Sequence, residues 1–207
     1  MKRFLLSLVM TILLSSCTVK VEKITENVGK YVPPNIDDNN FKNSVIINKN
    51  FDETWTSVID FVSDSFFKIE NLEKDSGLLK LSFGSKEVEN FIDCGDFEYT
   101  LFFTGEEFKG SYIDYAKKGL MAVLEAKMSI SIRNIDRKST KISINTNYRF
   151  STQHALGYYD PELNQTYSFV SGGYQTIDVI NPISGSIPTR TCKSTNFAEN
   201  AILNVIK

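Results

Sequence analysis

Residues 50–83 read NFDETWTSVIDFVSDSFFKIENLEKDSGLLKLSF, and two periodicities meet inside them. Asn50 stands where a helix N-cap belongs, since its side-chain oxygen can accept from an orphan N–H of the first turn. Asp52 and Glu53 follow in that turn, where carboxylates suit the positive end of the helix dipole. Glu53 falls three residues after Asn50, the spacing of a capping box. Phe51, Trp55, Val58, Ile59, Val62 and Phe66 then recur at helical spacing and make one apolar stripe. After the stripe the period changes. Phe67-Lys68-Ile69 leads into the polar turn Glu73-Lys74-Asp75-Ser76-Gly77, and Leu79, Leu81 and Phe83 alternate with Lys80 and Ser82, which reads as a hairpin. A helix with one apolar stripe must bury it against another element, here the apolar face of a sheet.

The same alternation continues outward. Val45-Ile46-Ile47 is a short strand ahead of the helix, and Phe97, Tyr99, Leu101 and Phe103 alternate beyond the hairpin. Ala122, Leu124, Ala126, Met128, Ile130 and Ile132 alternate with charged and hydroxylic residues. Past a turn at 134–139, Ile142, Ile144, Thr146, Tyr148 and Phe150 do the same. Two long strands with one apolar side each predict an antiparallel sheet with one wet face. Residues 105–120 suggest an exposed loop with a short helix around 112–118. Residues 151–191 are rich in Gly, Pro, Ser and Tyr, and within them 166–170 and 174–180 flank Ser171-Gly172-Gly173 as a smaller hairpin. A last helix is capped by Ser194, Thr195 or Asn196, with Phe197, Ala198, Ala201, Ile202, Val205 and Ile206 as its buried stripe. The expected fold is α+β: one antiparallel sheet of about five to seven strands, packed by an N-terminal amphipathic helix and a C-terminal helix, in one domain over residues 44–207.

The N-terminus carries a different signal. Lys2 and Arg3 precede an almost wholly apolar run at 4–14, shorter than the roughly 20 apolar residues that span a bilayer. A positive head, a short apolar run and small residues before a cut site mark a secretory signal. Leu14-Ser15-Ser16-Cys17 resembles the lipobox of bacterial lipoproteins. The resemblance implies a signal peptide over 1–16, a diacylglycerol on the Cys17 sulfur, and a further acyl chain on the new amino group. Two or more chains give stable membrane anchoring. The other reading is an ordinary secretory signal with an incidental cysteine. Thr18 stands where an Asp would favour inner-membrane retention in enteric-type envelopes, so the analogy places the protein on the outer membrane, facing the periplasm. Residues 17–43, polar and interrupted by Pro33-Pro34 and Asp37-Asp38-Asn39-Asn40, read as a flexible tether.

Composition narrows the class. The chain carries 23 Lys+Arg against 25 Asp+Glu, a formal net charge of −2, unlike the basic footprint of a nucleic-acid binder. Cys94 and Cys192 are an even pair in an exported chain and read as a disulfide. It would close a loop of about 98 residues, worth ~4 to 5 kcal/mol in the chain-entropy model. Two unpaired buried thiols are the alternative.

Catalytic constellations are scarce. The single histidine, His154, lies in the polar stretch Ser151-Thr152-Gln153-His154 and reads as a surface residue. One histidine cannot build a multi-histidine metal site, and no cofactor or metal is expected. No nucleophile elbow, phosphate loop or dinucleotide fingerprint occurs. The carboxylate pairs Glu106-Glu107 and Asp93 with Asp96 fall in expected loops. No catalytic residue is assigned. The aromatics Tyr158, Tyr159, Tyr167, Phe169 and Tyr174 form a candidate interaction cluster, because exposed tyrosines bury area at low entropic cost. The competing reading packs these rings onto the core.

The run Phe51-Asp52-Glu53-Thr54-Trp55, the stripe, Lys68-Ile69-Glu70 and Asp75-Ser76-Gly77-Leu78-Leu79 together resemble the opening of helix-grip modules in outer-membrane lipoproteins, such as component C of the β-barrel assembly machinery. The resemblance covers about 40 residues. It implies a helix-grip-like domain. The expected function is a non-enzymatic envelope lipoprotein that contacts another envelope protein. The alternative is a carrier of a small apolar ligand, held between helix and sheet in a cavity lined by Trp55, Phe66, Tyr99 and Leu101.

Overall fold

The structure, a computed structural model, describes residues 30–36, 41–100, 107–154, 164–178 and 189–206. Cys17 and the signal peptide, residues 17–29 of the tether, Leu101, Tyr158 and Tyr159 lie outside the described residues. The chain runs β1 (Lys30–Val32), β2 (Ser44–Ile47), α1 (Phe51–Ser63), β3 (Lys68–Glu73), β4 (Leu78–Ser85), β5 (Ile92–Asp93), β6 (Asp96–Thr100) and β7 (Glu107–Ser111). It continues through α2 (Tyr112–Gly119), β8 (Leu120–Asn134), β9 (Thr140–His154), β10 (Gln165–Val170), β11 (Tyr174–Asp178), β12 (Thr189–Ser194) and α3 (Phe197–Ile206). The fold is α+β, and every strand pair described is antiparallel.

The strands divide among three sheets where one was expected. The main sheet has six strands, ordered β10-β9-β8-β4-β3, with β2 on the far end of β9 beside β10. A second sheet is β1-β6-β7 and a third is β11-β12-β5. The expected smaller hairpin is the main casualty. Its first strand pairs with β9 and its second with β12. Between them the chain turns tightly, with Gly173 N–H donating to Val170 O at 2.8 Å and Ser194 N–H donating to Gly173 O at 3.2 Å. The Gln175 side chain, in place of the backbone, accepts from Ser168 N–H. β12 was hidden in a Gly- and Pro-rich stretch whose composition reads as loop.

α1 forms as its sequence dictates. Asn50 Oδ1 accepts from Glu53 N–H at 2.9 Å, and Thr54, Trp55, Val58 and Val62 are buried. Phe51 stacks on Trp55 with centroids 5.8 Å apart. The stripe ends earlier than its spacing predicts. Ser65 turns back to bond Val62 O at 3.0 Å, a local side-chain competition that closes the helix. Phe66 therefore lies beyond the helix and is 44% exposed, while Phe67 takes the buried place.

β8 and β9 pair over their whole length, Leu120 opposite His154 and Asn134 opposite Thr140. Leu124, Met128, Ile130 and Ile132 face Ile142, Ile144, Tyr148 and Phe150 in one buried layer. α1 and α3 pack against each other and cover this side. The α3 stripe is rotated from expectation: Ala198, Glu199, Ile202, Leu203 and Ile206 are buried, whereas Phe197 and Val205 are exposed.

The boundary expected near residue 44 moves forward, because residues 30–36 belong to the fold. Tyr31 pairs opposite Phe97. Its hydroxyl accepts from Thr191 N–H at 2.8 Å and shares its proton between the carbonyls of Cys94 and Thr191, each at 3.0 Å. The Arg190 guanidinium carbon sits 4.7 Å from the Tyr31 ring centroid and 5.0 Å from that of Phe97, a cation–π clamp on the entering strand. The polar composition of the segment concealed this, since a single aromatic residue anchors it. Cys94 and Cys192, both buried, are bonded and tie β12 to the junction of β5 and β6.

Gly77 ends the β3–β4 turn at φ 64°, where a Cβ would lie 2.0 Å from Ile132 O. Its N–H donates to Lys74 O at 3.0 Å and its carbonyl accepts from Ile132 N–H at 2.8 Å. Gly77→Ala is expected to destabilise the fold by about 1–3 kcal/mol from the left-handed backbone alone, plus the clash, read as a lowered midpoint in denaturant unfolding.

Candidate functional site

With one face of the main sheet sealed by helices, the opposite face is open. Strand alternation decides what lines it. On β4 the outward residues are Lys80, Ser82 and Gly84; on β8, Glu125, Lys127 and Ser129; on β9, Asn145, Asn147 and Arg149. Register aligns them: Lys80 stands opposite Ser129, Ser82 opposite Lys127, Lys127 opposite Asn147, and Arg149 opposite Ser168. Two depressions occupy this face, of about 950 Å³ and about 390 Å³. They share Glu125, Ala126, Lys127 and Asn147 and so form one groove, with Phe66 at one end and Val170 at the other. Gly84, lacking a side chain, contributes to the larger depression.

Charge is unevenly matched along the groove. At the β3 rim, Glu70 accepts from Ser82 Oγ at 2.6 Å and pairs with Lys68 Nζ at 3.0 Å. The Ser82 hydroxyl first, and Lys68 second, hold its carboxyl below the usual carboxylate range. Glu73 is likewise held low, by the Asn71 amide at 2.7 Å and the Ser76 hydroxyl at 3.1 Å. These carboxylates are already engaged. Lys80, Lys127 and Arg149 make no ion pair among the described residues. The groove floor thus presents three cations amid Ser and Asn side chains, with the carboxylate-bearing Glu125 directly opposite Arg149.

The residues singled out by sequence do not converge here. Tyr167 and Phe169 point into the core, where Tyr167 stacks on Phe150 (5.9 Å) and Phe169 on Tyr148 (5.6 Å). Burial first, then the neighbouring Tyr112, pushes the Tyr167 hydroxyl up. Tyr174 is 51% exposed on β11. The described part of the aromatic cluster is therefore split between core and surface. Asp93 Oδ1 accepts from Gly95 N–H at 2.9 Å, shaping the turn into β6. That turn holds Gly95 at φ 75°, where a Cβ would lie 2.2 Å from Val32 O. His154 ends β9, in a strand and not in a loop.

One polar group escaped the sequence reading. Glu199 is fully buried and accepts from Tyr148 Oη at 2.8 and 2.9 Å and from Ser171 Oγ at 2.6 Å. Burial first, then the Glu199 charge, drives the Tyr148 hydroxyl up, so it stays a donor. The signal was present: 199, 202, 203 and 206 are spaced i, i+3, i+4, i+7, with Glu199 in the leading place of the stripe.

Two outcomes test this geometry. Glu199→Leu strips the acceptor from two hydroxyls and should cost on the order of 1–3 kcal/mol per orphaned buried donor, seen as a lower melting temperature that Tyr148→Phe in the same chain partly restores. A Glu carboxyl that titrates lower in the folded than in the unfolded state adds stability above the unfolded pKa and loses it as pH falls through the folded value. For Glu70, an NMR titration should show a carboxyl pKa below that of an ordinary glutamate, rising toward it in Ser82→Ala.

No protein-family profile, no characterised protein and no solved structure matches this chain.

Proposed function

We propose that the chain is a lipid-anchored, non-enzymatic protein of the bacterial cell envelope, acylated at Cys17 and acting as an interaction module for another envelope protein. The observation that carries this reading is the open groove, which offers cations, amides and hydroxyls on the exposed face of the main sheet. The lipobox at 14–17 supplies the anchor, and Thr18 favours the outer membrane facing the periplasm. Cys17 lies so few residues before β1 that the intervening chain, even fully extended, reaches at most roughly 45 Å. The domain would therefore work close to its membrane. Two helices gripping one side of a sheet, after a strand–helix–hairpin opening, is the helix-grip-like reading of the α+β fold.

The carrier reading has less support. The space between α1 and the main sheet is occupied by Trp55, Val58, Val62, Leu79, Leu81 and Met128, all buried, and the groove lies on the other face. Phe66, assigned to that cavity by sequence, packs on Phe67, Phe83, Phe91 and Phe197 and also borders the groove.

Cys17→Ser is expected to abolish acyl labelling and to release the protein from the membrane fraction. Retention of the variant in that fraction would overturn the lipid anchor. Crosslinking of the native protein in intact cells, followed by pull-down and mass spectrometry, is expected to return a reproducible envelope partner; an empty result would overturn the interaction reading.

A further inference from the structure

β1 is a short edge strand held chiefly through one side chain. It pairs with β6 over three residues, Lys30 opposite Glu98, Tyr31 opposite Phe97 and Val32 opposite Asp96. Lys30 and Val32 are exposed. Of residues 30–36 only Pro34 is fully buried, and a proline brings no N–H to bond. Asn35 O accepts from Lys193 Nζ on the exposed surface. The bonds that reach inward belong to the Tyr31 hydroxyl. A segment with few buried contacts and exposed hydrogen bonds opens at much lower free energy than the core.

The place where that hydroxyl lands is the second observation. β5 and β12 pair only through Ile92 opposite Ser194 and Asp93 opposite Lys193. The next position of the same register sets Cys94 opposite Cys192, and these are bonded. One step further, the Tyr31 hydroxyl bridges the Cys94 carbonyl and the backbone of Thr191. A two-residue ladder is thus prolonged first by the cystine and then by β1. The cystine is buried, with Cys94 1% and Cys192 0% exposed, and a thiolate must reach one of its sulfurs to exchange with it.

We propose that β1 is a strap that opens while the rest of the fold stays intact, and that strap and cystine lock each other: the Cys94–Cys192 bond is reducible only while the strap is open, and its reduction keeps the strap open. The reductant is a dithiol. One of its thiolates attacks a cystine sulfur, forms a mixed disulfide and expels the other cysteine as a thiolate. Its second thiol then displaces the first cysteine. Two electrons and two protons pass to Cys94 and Cys192, which become thiols, and the dithiol becomes a disulfide. Without their bond, β5 and β12 share only two residue pairs, and the groups that hold Tyr31 sit on segments no longer joined. The consequence at the membrane rests on the lipid-anchor reading above. With β1 released, the first strand after Cys17 is β2, and the reach of the anchored chain grows from roughly 45 Å to roughly 95 Å.

The test uses the full chain in detergent micelles, with dithiothreitol as the dithiol. Reduction is followed by alkylation of Cys94 and Cys192 and peptide mass spectrometry, and opening by hydrogen exchange. In the native chain the reduction rate should scarcely change with urea below the unfolding transition, because opening so few residues exposes little surface. Tyr31→Phe keeps the ring but takes the acceptor from Thr191 N–H, and should speed reduction by about tenfold or more while β8 and β9 exchange as slowly as before. After reduction of the native chain, the peptide carrying β1 should exchange faster by about tenfold or more, again with β8 and β9 unchanged. A reduction rate that climbs with urea as steeply as global unfolding overturns the strap, and that measurement needs no variant. So does a folded Tyr31→Phe chain reduced at the native rate. Exchange at β1 unaltered by reduction, or protection lost from β8 and β9 with it, overturns the mutual lock. None of these readouts requires the lipid, so failure of the strap and failure of the anchor are told apart.

Discussion

The pairing of β8 with β9 over all 15 residues of each strand is the constraint on which the rest of the fold hangs. It is set at the connecting turn, where Ile135 N–H donates to Ser139 O at 3.0 Å and Asp136 Oδ1 accepts from Lys138 N–H at 2.7 Å. A slip of one residue would turn Leu124, Met128 and Ile130 to water and Lys127 and Ser129 into the core, so register is tightly specified. Each strand then offers its outer edge to others. β8 takes the β3–β4 hairpin, whose turn glycine closes on Ile132, and β9 takes β2 and β10 end to end. The helices follow from this, since only the apolar face can bury their stripes.

A second constraint is polar. Burying a carboxylate is costly unless hydrogen bonds replace its water. Glu199 is supplied by Tyr148 from β9 and Ser171 from the β10–β11 turn, so one side chain ties α3 to both. The same corner explains the split of the expected hairpin. Asn196, at φ 58°, accepts from Gly172 N–H at 2.8 Å and from Ser194 Oγ at 3.0 Å. The turn is held by the start of α3, and β11 is handed to β12 instead of back to β10.

Much of this was legible from residues 50–83 and from the two long alternating runs, because a strong period over many residues leaves few alternatives. The cap at Asn50, the β3–β4 hairpin, the β8–β9 pair, the short helix at 112 and the Cys94–Cys192 bond were all readable. Single-residue events were not. Phe66 kept helical spacing past a helix that Ser65 had already closed. β1 is held by one tyrosine in a polar segment, and β12 lies in a stretch whose composition reads as loop. For the site, sequence drew attention to tyrosines, yet Tyr167 and Phe169 alternate with Thr166 and Ser168 just as inward residues of a strand should. The groove could not be read from any one segment, since its residues come from β3, β4, β8, β9 and β10 and meet only through register.

That register also bears on how charge is arranged along the groove in a chain whose net charge is −2. Wet sheet faces commonly interleave both signs, and opposite charges facing each other across strands stabilise the sheet. On this face the acids at the β3 rim are consumed by Ser82, Lys68, Asn71 and Ser76, while Lys80, Lys127 and Arg149 are set diagonally across interior strands. Solubility alone would be served by either sign in any arrangement. Glu125 stands opposite Arg149 across β8 and β9, so the face keeps a cross-strand pair of opposite charge beside Lys80 and Lys127. The sealed face of the sheet thus fixes the fold, and the same register sets charges of both signs on the open face.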